Sequence, residues 1–113
     1  MEIDTVLRDL ITSLKPSDPY KIVLFGSYAK GTATVDSDID LMVILDNDEV
    51  AKTWTERSMK KADIRKLVRE INYKYAMDIL VYSRAEFKMV KELGNPFIDE
   101  VEETGRIIYE KAG

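Results

Sequence analysis

The chain has 113 residues, 45% of them hydrophobic and 34% charged, with a formal net charge of −4 at pH 7. That composition fits one soluble globular domain, 1–113, with little room for a second substrate-binding domain. Cysteine and histidine are both absent, which excludes disulfides, thiolate or imidazole metal sites and any histidine base.

Any catalysis must therefore use carboxylates, lysine, hydroxyls or a bound metal. No apolar run approaches the ~20 residues that span a membrane. The start, Met1-Glu2-Ile3-Asp4, is acidic and lacks the regions of a signal peptide. A cytoplasmic protein with no membrane association is expected. The acidic balance makes nucleic acid an unlikely partner, since gripping phosphates nonspecifically needs a basic surface.

In chain order, residues 2–14 read as an amphipathic helix, because Ile3, Val6, Leu7, Leu10, Ile11 and Leu14 recur at helical spacing. Pro16 and Pro19 bracket a loop over 15–19. The apolar run 21–25 reads as a buried strand. Gly26 suits a tight turn, and Ser27 suits the cap of a short helical turn after it. A polar loop over 31–37 leads to a strand at 39–45, apolar throughout after Asp40, as a central strand would be. Asp46-Asn47-Asp48 is a turn and helix-start signal. A helix over about 49–72 follows, with a break near Ser58 and with Val50, Trp54, Ile64, Leu67, Val68 and Ile71 expected in the core.

A third strand is expected at 76–82, with Asp78 near its start. Ser83 and Glu86 have capping-box spacing ahead of a helix carrying Phe87, Val90 and Leu93. Gly94-Asn95-Pro96 ends that helix and opens another, over 96–103. Gly105 closes it, and 106–109 reads as an edge strand. This order predicts an α/β (α+β) fold, a small mixed sheet with helices packed mainly on one face. The carboxylate face is expected to stay open.

The chemistry concentrates in Gly26-Ser27 and in Asp38-Ile39-Asp40. Side chains two apart on a strand share a face, so Asp38 and Asp40 project together beside a turn suited to phosphate. Mg²⁺ favours carboxylate and phosphate oxygens, and two such ions roughly 3.5–4 Å apart can stabilise attacking and leaving oxygens together. Asp78, on an otherwise apolar strand where an unpaired charge is costly, is the candidate third carboxylate. Each residue also has a plain structural reading: solvated strand-end acids for the aspartates, a helix cap for Ser27, a turn for Gly26. Lys30 is either a surface lysine or a phosphate contact. Arg57, Lys61, Arg65 and Arg69 form a basic stripe that reads as a solvated face or, alternatively, as a docking surface for an acidic partner or nucleotide tail. Tyr73, Tyr75 and Tyr82 read as packing residues.

Gly26-Ser27, ten intervening residues and Asp38-Ile39-Asp40 resemble the signature of the DNA polymerase β-type nucleotidyltransferase superfamily. The longer string GSYAKGTATVDSDIDLMVIL resembles its minimal nucleotidyltransferase (MNT) domain, often the antitoxin of a toxin–antitoxin pair with a helical HEPN toxin. The resemblance implies that Gly26 and Ser27 contact the triphosphate and that Asp38 and Asp40 bind metal. It implies that Asp78 is the third catalytic carboxylate and metal ligand, assisting deprotonation of the acceptor hydroxyl. Lys30 stands where many relatives carry arginine; it keeps the charge and loses the bidentate fork.

The implied function is metal-dependent transfer of AMP, or another NMP, from ATP (NTP) to an acceptor hydroxyl, with two Mg²⁺ ions. The acceptor would lie on a partner HEPN toxin, which the transfer would neutralise. Two alternatives stand beside it. One is a non-catalytic stoichiometric antitoxin. The other is a small-molecule, antibiotic-type nucleotidyltransferase, whose missing second wall a homo- or hetero-oligomer would supply.

Overall fold

The structure, a computed structural model, describes residues 3–112. A four-stranded mixed sheet is built from β1 (Pro19–Phe25), β2 (Ile39–Leu45), β3 (Met77–Ser83) and β4 (Arg106–Glu110), in the order β3-β2-β1-β4. β1 runs antiparallel to β2 and β4, and β2 runs parallel to β3. The helices are α1 (Ile3–Leu14), α2 (Ser27–Lys30), α3 (Trp54–Leu67), α4 (Arg69–Lys74), α5 (Arg84–Glu92) and α6 (Pro96–Thr104). The α+β architecture is the expected one.

Alternation along the strands divides the core in two. Ile39, Leu41, Val43 and Leu45 of β2 share one face with Ile22 and Leu24 of β1 and Ile79 and Val81 of β3. Val6, Leu7, Leu10 and Leu14 of α1 and Ile64 of α3 cover that face. Leu10 and Leu14 are fully buried, each contributing about 1.5–3 kcal/mol relative to exposure. The other face carries Val23, Phe25, Met42 and Ile44, and Ile98 and Val101 of α6 seal it. Burial on both sides explains why β2 is apolar from Leu41 onward. The larger cluster does lie under α1 and α3, but the second face is not bare. α5 and α6 cover its far part and leave the end with Asp40 and Asp78 open.

Several element boundaries differ from expectation for identifiable reasons. Ser27 is the first residue of α2 rather than its cap; Gly26 is the cap, without a side-chain bond. The long helix starts at Trp54, not near 49. Thr53 Oγ1 caps it by accepting from Glu56 N at 3.1 Å, and Glu56 Oε2 accepts from Lys52 N, one residue before the cap, at 2.7 Å. Of the two readings of 46–48, the turn holds and the helix start does not: Asn47 Oδ1 accepts from Glu49 N. Val50 and Trp54 therefore lie outside the core, Trp54 at 82% exposure. The break falls at Val68 rather than Ser58. Tyr73 is solvent-facing, not a packing residue. Arg57 is more than a solvated charge: it reaches Glu86 at 3.7 Å and lies over the Tyr82 ring.

The Ser83–Glu86 capping box is present, and Glu86 does more than cap α5. Its buried carboxylate accepts from Ser83 N, Ala51 N and Lys60 Nζ at 2.8, 3.0 and 2.9 Å. Burial pushes its pKa up, but the two backbone N–H groups and Lys60 outweigh burial and hold it at about 2. One side chain thereby pins the 46–53 segment and α3 to the end of β3.

Candidate active site

β1 ends at Phe25 and hands the chain to Gly26, whose φ of +72° and ψ of −154° lie in a region open essentially to glycine alone. The same residue meets a second constraint. A Cβ on Gly26 would be driven into Oδ2 of Asp40. Thus the turn backbone and the Asp40 carboxylate are in close approach. After Gly26 comes the single turn of α2, in which Ala29 N and Lys30 N both donate to Gly26 O at 3.1 Å.

Asp40 is the register partner of Phe25 on one side and of Asp78 on the other. Parallel register partners present side chains to one face, so Asp40 and Asp78 stand side by side on the face carrying Met42 and Ile44. Burial, then the charge of Asp78, then that of Asp38, raise the pKa of Asp40 above its ordinary value. Asp38 precedes β2 and is exposed. The structure therefore brings Asp40 and Asp78 into a pair and sets Asp38 within electrostatic reach. Among the described residues, no three acidic side chains close on a point that could hold a metal ion.

The donor set still fits a hard divalent cation. Like-charged carboxylates are neighbours here, and burial together with that neighbouring charge makes Asp40 resist ionisation. Carboxylate oxygens are the ligands Mg²⁺ prefers, and a cation would relieve the repulsion.

Gly26 borders Asp40 directly, and Ser27 follows it as the first residue of α2. Lys30 is less committed: its Nζ is 3.0 Å from Glu100 Oε1 of α6. Sequence reasoning passed over α6 as a neighbour of the site. Both Glu100 and Phe97 approach it, Phe97 through an edge-on contact with Phe25 at 5.6 Å between centroids. The Gly94-Asn95-Pro96 signal marks where α6 starts but carries nothing about where it packs. Two clefts, ≈600 Å³ between α1 and α4 and ≈590 Å³ beside α3, lie away from the aspartates. The acid pair instead faces outward from an open sheet end.

Residues 4–107 match the nucleotidyltransferase domain family. The candidate protein adenylyltransferase MJ1305 of Methanocaldococcus jannaschii is 34% identical over 96% of this chain and 73% of its own length. A second one from that organism, MJ0604, is 33% identical over 96% of this chain and 100% of its own length. Among solved structures, a candidate nucleotidyltransferase from Sulfolobus solfataricus superposes with a TM-score of 0.61 at 16% identity, covering 95% of this chain and 79% of that one. A chain from the complex of tri-AMPylated Shewanella oneidensis HEPN toxin with MNT antitoxin gives 0.54 at 18% identity, covering 96% and 72%. At those identities the two structures speak for the fold. The match over 4–107 speaks for more, and with it the chain belongs to the nucleotidyltransferase family and is a nucleotidyltransferase.

Proposed function

We propose that this nucleotidyltransferase moves AMP, or another NMP, from ATP or a related NTP to a hydroxyl on a partner protein, using divalent metal. We further propose that the partner is a HEPN-type toxin and that modification neutralises it, which makes the chain an antitoxin acting in the cytoplasm. The observation that carries this reading is the Asp40–Asp78 register pair beside the Gly26 turn. Relatives named for protein adenylyl transfer support a protein acceptor. The fold match to a complex with a tri-AMPylated HEPN toxin supports the partner, and a similar toxin–antitoxin structure with AMP-PNP supports ATP.

Each residue then has a role. Gly26 leaves the backbone bare where phosphate oxygens approach, and the Ser27 hydroxyl can donate to one of them. Lys30 exchanges Glu100 for phosphate. Asp38, Asp40 and Asp78 would hold Mg²⁺, which when bound supplies charge neutralisation along the triphosphate and polarises the reacting phosphate. The acceptor oxygen attacks the α-phosphorus, forming an O–P bond. The bond from that phosphorus to the bridging oxygen breaks, and pyrophosphate leaves with its electron pair. Asp78, the more exposed of the pair, accepts the hydroxyl proton. The open sheet end leaves one side of the site for the partner to complete.

The test is incubation of the chain with α-labelled ATP, Mg²⁺ and the HEPN-type protein it neutralises. Label should appear on the partner and vanish with Asp40→Asn. Full neutralisation by Asp40→Asn without label transfer would replace this reading with a stoichiometric inhibitor.

A further inference from the structure

Phe97 has no place in the scheme above, although it stands at the site. It lies in the first turn of α6, whose Ile98 and Val101 are buried, yet it keeps 42% exposure. Its ring meets Phe25 edge-on, with the planes at 85°. Phe25 is itself buried and is the register partner of Asp40. One turn along α6, on the same side of the helix, Glu100 holds Lys30 at the end of α2. Two ties, one through Phe25 to Asp40 and one through Glu100 to Lys30, therefore fix Phe97 next to the phosphate turn and the acid row. In the sheet order, Asp78 on β3 borders Asp40 on one side, and Phe25 with Phe97 above it borders Asp40 on the other. Every other residue proposed to touch the nucleotide is a carboxylate, a hydroxyl, an ammonium or bare backbone. Phe97 adds an exposed apolar ring to that set.

We propose that Phe97 is the stacking platform for the nucleobase of the donor nucleotide, an inference that rests on the nucleotidyl-transfer reading above. Phosphate contacts at Gly26, Ser27 and Lys30 carry no information about the base. A phenyl ring has a π-face and no hydrogen-bonding group, so it accepts any base by stacking and favours the larger purines. Its buried edge-on contact with Phe25 holds it in place, which lowers the entropy lost when a base settles on it. The donor class is thus a purine nucleoside triphosphate, chosen by overlap area and not by reading of the base edge.

The experiment is calorimetric titration of the full chain, with Mg²⁺, by three probes: a non-hydrolysable ATP analogue, the matching UTP analogue, and inorganic tripolyphosphate. The wild type should bind them in that order of affinity. Phe97→Ala should weaken the ATP analogue about ten-fold or more and leave tripolyphosphate unchanged. Phe97→Leu keeps apolar contact with Phe25 and carries the test if the alanine variant does not fold; it should lose as much. Phe97→Trp should bind the ATP analogue at least as tightly as wild type. Unchanged affinity for the ATP analogue in both truncations overturns the proposal, as does an equal loss for tripolyphosphate. A wild type that binds the ATP analogue no better than tripolyphosphate also overturns it. If the wild type binds none of the three, the nucleotide site itself is wrong and the platform falls with it.

Discussion

Asp40 and Asp78 sit opposite each other across the parallel β2–β3 pair, so two carboxylates share one sheet end. Native structures tolerate such crowding where function uses it. Asp40→Asn should abolish nucleotidyl transfer while raising the melting temperature of the metal-free protein by a few degrees. Ordinary loss of a structural acid would lower it. Thermal melts with a chelator, beside label-transfer assays, check both halves.

The same pair predicts a pH dependence. The folded protein holds the Asp40 proton more tightly than the unfolded chain does, because burial and the neighbouring acids raise its pKa. Ionising it therefore costs folding free energy, and stability from this group declines as pH rises from the ordinary carboxylate range through the raised value. Asp40→Asn should remove that decline. Mg²⁺ should reverse it in the wild type by favouring the ionised form. Denaturant titrations across pH, with and without Mg²⁺, read both effects.

Gly26 is held by two constraints at once, its backbone region and the Asp40 carboxylate that would meet a Cβ. Gly26→Ala should cost about 1–3 kcal/mol from backbone strain, and displacement of Asp40 adds to that. Urea unfolding measures the loss. Combining it with Asp40→Ala should recover the clash component only, leaving the backbone cost.

Glu86 gives the opposite pH behaviour from Asp40. Its pKa is lowered from 4.5 to about 2, so its contribution is complete above the unfolded value and fades as pH falls through the folded one. Glu86→Gln keeps the shape but loses the charge that holds Lys60, and should destabilise by about 2 kcal/mol at neutral pH. The wild-type decline between pH 4.5 and about 2 should be shallower in the variant. Equilibrium unfolding at several acidic pH values checks this.

Lys30 and Glu100 form an exposed ion pair, 3.0 Å apart. Such pairs stabilise by about 0–1 kcal/mol, so Glu100→Gln should barely move the melting temperature. If Lys30 turns to phosphate when nucleotide binds, Lys30→Ala should raise the KM for ATP several-fold and leave stability nearly unchanged. Lys30→Arg should restore it. Steady-state kinetics on the three variants separates these roles.

Much of this architecture is legible in the residues because the signals are local. The continuous run from Ile39 to Leu45 is a strand buried on both faces, and its observed limits coincide with the run. Ser83 and Glu86 announce their capping box, and Asn95-Pro96 announces α6. Other features depend on neighbours that spacing cannot show. Trp54 looks like core by composition, but α3 starts there and turns it outward. Val50 lies in the pinned segment before that helix. Asp78 reads as one acid near a strand start; its side-by-side placement with Asp40 follows from β3 pairing parallel to β2 in that register. Glu100 meets Lys30 across 70 residues of chain, and Phe97 reaches Phe25 through the path of α6. No periodicity carries such contacts.

The most direct test of the central claim is anomalous diffraction from crystals grown with Mn²⁺ and a non-hydrolysable ATP analogue. Manganese prefers the same oxygen ligands as magnesium and scatters anomalously. The account predicts anomalous density bound by both Asp40 and Asp78, with the triphosphate against Gly26 and Ser27. Manganese bound elsewhere, or a nucleotide seated away from that turn, would contradict it.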